Sequence, residues 1–296
     1  MEARRCRTLV FVLAILAAYA AITLGNLYLF YDKESVIWRI QSASEGWVNA
    51  NLLLFLPQTL LIVFLLAMCG GGLSLQDLGL PRRWPMRLIV WTAIGWLLVQ
   101  LLAALVALVT GQPLDWHPVW AEFGAGMVIG LLIAMIWGTA LFEDSFFRGF
   151  LIPQFALRLR DRIARPWLRS LAAMMIAAII FAFWHLPTLL LRGADDPATL
   201  GGGLAFMLLG GVMLGILFIR TGDVTLCAAL HALVNAPTLL FASAVPGGIY
   251  AGLIGIVAMI MGPRLAGDAN IRGFLIIDPR RKRAPDRRFR QAAEAR

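Results

Sequence analysis

Residues 141–150 read LFEDSFFRGF, which puts Glu143, Asp144 and Arg148 between apolar runs long enough to cross a bilayer. The chain has 296 residues, of which 60% are hydrophobic and only 15% charged. A soluble domain is nearer half apolar and about a quarter charged, so this is the composition of a membrane protein. About 20 apolar residues in a helix cross the hydrocarbon core. Eight such runs are found, at approximately 8–30, 50–69, 88–110, 124–142, 170–191, 200–219, 224–243 and 245–262. The fourth can continue through GFLIPQFAL (149–157) as one long helix. The expected fold is therefore all-α, a polytopic helical bundle with about eight transmembrane helices.

The placement of charge sets the expected orientation. The net charge of +9 is almost all arginine, with Lys33 and Lys282 the only lysines. Positive clusters fall at MEARRCR (1–7), PRRWPMR (81–87), RLRDRIARPWLR (158–169), IRTGD (219–223) and DPRRKRAPDRRFR (278–290). The alternate connections YDKESVIWRIQSASEGW, GQPLDWHPVWAEF, RGADDPATL and ASAVPGG are acidic, mixed or neutral. The positive-inside rule then puts both termini in the cytoplasm, as an even number of spans also requires. A bacterial inner membrane is the expected setting. The apolar run at the N-terminus continues past the small residues AAYAA (17–21) to Phe30, which argues for a span over a cleaved signal peptide. The basic tail is expected to adhere to anionic lipid, not nucleic acid.

Cys6, Cys69 and Cys227 are odd in number and far apart, so neither a disulfide framework nor a zinc ribbon is expected. There is no nucleotide-binding loop and no clear repeat. The stretch CGGGLSLQDLGLPRRWP (69–85) reads as a cytoplasmic linker.

Two acids and an arginine at mid-membrane cost about 2.5–3.5 kcal/mol each on insertion scales, so they must face the bundle interior or a wet cavity. Asp144 and Arg148 are four apart on a helix and can pair. Glu143 is rotated by about 100° from Asp144 and points to a different neighbour. That leaves Glu143 free as a general base. A purely structural polar lock between helices would use the same three residues. Two of the three histidines also lie in apolar runs, His185 in FAFWHLP (181–187) and His231 in HALVN (231–235), where Asn235 shares its helix face.

Taken in order, EDSFFR (143–148), FAFWH (181–185) and HALVN (231–235) resemble the EExxxR, FxxxH and HxxxN motifs of the CAAX-protease and bacteriocin-processing (CPBP, or Abi) family. That family includes the type II CAAX prenyl endopeptidases. The resemblance covers about residues 125–245 and departs at Asp144, where the family usually has a second Glu. It implies an intramembrane endopeptidase in which Glu143 and His185 activate a water while His231 and Asn235 stabilise the oxyanion. Asp144 and Arg148 would support the site. The substrate would be a peptide or membrane-anchored protein, with no cofactor.

The expected organisation is three N-terminal spans over 1–122, a catalytic core of spans four to seven over 123–245, a last span over 246–263 and a basic tail over 264–296. Other readings remain open. Glu143, His185 and His231 also form the ligand set of a catalytic zinc site. Cys227 lies four residues before His231, at the spacing of a thiol–histidine dyad. Ser145 reads as packing and His117 as a residue of an external loop. A bacteriocin-immunity or scaffold protein, or a transporter, would keep a polar core for other reasons.

Overall fold

A computed structural model describes residues 4–265. The chain is all-helical over this range, and the one β-bridge joins Trp116 to Phe241 in two loops. We number the helices α1 (Thr8–Phe30), α2 (Val36–Ala43), α3 (Ala50–Gly70), α4 (Trp84–Val109), α5 (Val119–Arg158), α6 (Pro166–Leu191), α7 (Pro197–Thr221), α8 (Val224–Asn235) and α9 (Gly247–Leu265). Six of them, α1 and α3 to α7, are long and apolar enough to cross a membrane. The chain is an integral membrane protein. From residue 266 onward the basic tail, with its expected lipid contacts, lies outside the described residues.

The helix boundaries follow local chemistry. Prolines at the first turn open α4, α6 and α7, where a missing N–H costs nothing. Asp196 accepts hydrogen bonds from the Ala198 and Thr199 amides at the start of α7. Gly222, at φ 66°, closes α7 in the left-handed conformation, so Asp223 can cap α8 immediately afterwards. The fourth apolar run does continue to Arg158 as one element, with a break at Gly124.

The seventh run departs from expectation. Residues 224–243 do not form one span, because α8 stops at Asn235 after 12 residues, about 18 Å of helix. Pro237 explains the stop: it disfavours helical geometry at Ala236, which sits at φ −141°, ψ 72°. Residues 236–246 then return along the loop before α5, with His117 N–H donating to the Leu240 carbonyl and Ala242 N–H to the Asp115 carbonyl. Both α8 and the apolar part of α9 are shorter than a full span.

The 69–85 stretch is also more than a linker. Leu78 and Leu80 are fully buried, and Ser74 with Asp77 forms a capping box around the short turn Leu75–Leu78. Gly149 of α5 lets this turn approach: a Cβ there would lie 2.4 Å from the Leu78 carbonyl oxygen. The Gly79 carbonyl accepts from Val224 N–H, which fixes the start of α8.

These contacts gather the arginine-rich segments at one end of the bundle. Arg158 donates to the Cys6 carbonyl, Gln154 to the Arg4 carbonyl, and Arg87 pairs with Asp223 at 2.6 Å. Arg220 donates to the carbonyls of Met259 and Ile260. We call this end the basic face.

Candidate active site

Glu143 sits on α5 between two segments, Met135–Ala140 and Asp144–Leu151, in which the helix widens to i→i+5 hydrogen bonding. Such widened turns recur at functional sites because they re-aim side chains. An aromatic wall packs behind them: Phe142 stacks on Phe146 at 5.8 Å between centroids, and Phe147 meets Trp184 edge-on at 5.4 Å. Glu143, Asp144 and Arg148 are all at most 2% exposed.

Asp144 and Arg148 form the expected pair, with Asp144 Oδ1 3.3 Å from Arg148 Nε. The guanidinium also lies over the Phe181 ring, 4.4 Å from its centroid. Asp144 does more than the sequence spacing suggested. Its second oxygen, Oδ2, accepts a hydrogen bond from His231 Nδ1 at 2.9 Å. One carboxylate therefore neutralises Arg148 and orients His231.

His185 is fixed differently. It lies at the turn within α6, where its Nδ1 is 2.8 Å from the Phe181 carbonyl. A carbonyl only accepts, so Nδ1 carries the proton and Nε2 presents a lone pair in the neutral ring. Phe181 and Trp184 hold the imidazole edge-on, at 4.6 and 4.9 Å between centroids. The Phe of the FxxxH motif thus contributes its carbonyl and its ring to one histidine.

The two Nε2 atoms converge on Glu143, His185 at 3.9 Å from Oε1 and His231 at 3.7 Å from Oε2. These separations exceed a direct hydrogen bond, but one water can bridge groups so spaced. Asn235, the exposed last residue of α8, lines the same cavity as Glu143, His185 and His231. The structure therefore brings together all four residues named as catalytic. Among the described residues no three His, Cys, Asp or Glu side chains are placed to hold a metal ion, the Glu143–His185–His231 set included. Cys227 is fully buried, with its thiol directed to the Leu214 carbonyl, while the His231 ring is engaged by Asp144 and faces Glu143. Ser145 is wholly buried, and His117 accepts from the Val119 amide in its loop.

The cavity has a volume of about 590 Å³ and a mostly apolar wall. Residues outside the motifs also line it. Asn26 of α1 donates to the Thr188 hydroxyl at 2.7 Å, and both border the cavity, as does Asn51 of α3. Thr139, one turn before Glu143, is 8% exposed with an unpartnered buried hydroxyl. Its spacing of four from Glu143 was the one sequence signal for it; α1 and α3 gave none.

Residues 125–237 match the type II CAAX prenyl endopeptidase Rce1-like family. This segment is similar to the CAAX-protease family. It contains Glu143, Asp144, Arg148, His185, His231 and Asn235, the residues on which the motif resemblance rests. No curated protein and no solved structure matches the chain. The Rce1-like domain supplies the polar centre, while Asn26, Asn51 and Gly252 show that the cavity around it extends beyond the matched residues.

Proposed function

We propose that the chain is an intramembrane endopeptidase that cleaves a peptide or membrane-anchored protein with a water activated by Glu143. The observation that carries this reading is the Glu143 carboxylate facing two imidazole Nε2 atoms across gaps of 3.7 and 3.9 Å on a cavity wall. A water held by Glu143 and His185 Nε2 gives its proton to the carboxylate as its oxygen attacks the scissile carbonyl carbon. The C–O bond forms and the carbonyl electrons move to oxygen. Asn235 Nδ2 and His231 Nε2 donate to that oxyanion. His231 already donates from Nδ1, so a second donation requires the imidazolium form. With Asp144 shared between His231 and Arg148, the Glu143 carboxylate before attack and the oxyanion after it supply the second negative charge. The tetrahedral intermediate then collapses, the C–N bond breaks, and the amine leaves with the proton from Glu143.

Glu143→Gln is the direct test. The amide keeps the side chain's shape but accepts no proton, so processing of a membrane-anchored reporter should stop while protein level and thermal stability stay close to wild type. Full processing by Glu143→Gln would reject the proteolytic reading.

A further inference from the structure

The position of the cavity bears on how a substrate reaches Glu143. At the basic face α7 and α9 are clamped together, with Arg220 donating to Met259 and Ile260 and a Cβ at Gly262 lying 3.0 Å from the Arg220 side chain. Farther from that face both helices line the cavity, α7 through Gly210 and Met213 and α9 through Gly252 and Gly255. A Cβ added to Gly210, Gly252 or Gly255 would meet nothing within 4 Å. Space therefore separates the two helices where they border the cavity. The apolar residues beside it, Phe206, Leu209, Val234 and Leu253, are 69%, 59%, 40% and 50% exposed. In a bilayer such a surface faces acyl chains. The cavity's remaining rim, Phe30, Asn51, Thr188 and Arg192, lies near helix ends at the side away from the basic face.

Building on the proteolytic reading, we propose that the substrate is a bilayer-anchored polypeptide that slides between α7 and α9 from the membrane half opposite the basic face. Because arginine-rich segments stay in the cytoplasm, that half is the outer one. The fitting substrates are exported or surface-anchored proteins, cut near their membrane anchor, with the apolar part of the chain against α7 and α9. A cytosolic polypeptide would meet the closed basic end.

Labelling tests both parts without any need for activity. In a Cys69→Ser background the other native thiols, Cys6 and Cys227, are buried. A membrane-impermeant sulfonated maleimide added to intact spheroplasts should label Arg192→Cys, and should label it poorly in inverted vesicles. The reverse pattern overturns the outer approach. A lipid-soluble pyrene maleimide should label Val234→Cys, and the pair Gly210→Leu/Gly252→Leu should slow that reaction by about tenfold, one decade of rate. Leucine favours helix over glycine, so the pair does not weaken either helix. Unchanged Arg192→Cys labelling in the same protein checks the fold, and Gly255→Leu is an independent block on the same wall. Unslowed labelling of Val234→Cys in both blocked variants overturns the lateral path. An active Glu143→Gln protein would remove the proteolytic reading and leave these labelling patterns as they are.

Discussion

Replacing Asp144 with Asn tests the double duty of one carboxylate. Asp144 and Arg148 are both at most 1% exposed, and Arg148 Nη1 and Nη2 have no hydrogen-bond partner among the described residues. Removing one partner of such a pair leaves an uncompensated buried charge and costs about 3–5 kcal/mol. The Phe181 ring returns only part of this, since a cation–π contact is worth about 2 kcal/mol when desolvated. An Asn at 144 can still accept from His231 Nδ1, but its amide hydrogens can face Arg148 donor to donor. A loss of about 3 kcal/mol is expected, near the lower end of the buried-pair range. Denaturant unfolding of purified protein in detergent, followed by tryptophan fluorescence, measures it. The decisive comparison adds Arg148→Met to Asp144→Asn. Removing the stranded charge should recover most of the lost stability, giving a coupling energy above about 1 kcal/mol in the double-mutant cycle. Turnover should not recover, because His231 still lacks the Asp144 carboxylate that helps support its imidazolium form. Additive single effects, or a cost below about 1 kcal/mol for Asp144→Asn alone, would refute a buried ion pair here.

Two further outcomes are expected. Asn235→Ala should lower turnover by about 100- to 1000-fold, as losing one oxyanion donor does elsewhere, with substrate binding little changed; about one zinc per chain by elemental analysis, with activity lost on chelation and restored only by zinc, would replace this mechanism by a metal-dependent one. Gly149→Ala should destabilise by about 1–3 kcal/mol through overpacking, because its methyl meets the Leu78 carbonyl oxygen at 2.4 Å, and wild-type stability in the same unfolding assay would show that the 69–85 stretch does not pack there.

Much of this protein was legible in its residue order. Apolar runs of span length that face lipid form helices, since every backbone polar group there must be satisfied within the segment. The helices at 8–30, 50–70, 84–109 and 197–221 follow from that alone. The i,i+4 spacing of Asp144 and Arg148 is local, and so the pair could be read. The three motifs marked Glu143, His185, His231 and Asn235 through family resemblance, whereas their meeting in one cavity is a tertiary fact.

What the sequence left undecided depended on contacts between distant segments. Asp144 and His231 are 87 residues apart, and no periodicity connects them. The end of α8 at Asn235 was hidden because hydropathy stays high beyond Pro237, and hydropathy does not sense that proline's effect on the backbone before it. Leu78 and Leu80 sit in a stretch whose glycines and prolines read as a linker; only the space left by Gly149 makes it a packed floor under the site. The cavity is the clearest case, since its walls come from α1, α3, α5, α6, α7, α8 and α9. Helical periodicity says which face of one helix is apolar. The space between helices depends on how far apart two such faces stop, and that is set by side chains meeting across the whole bundle.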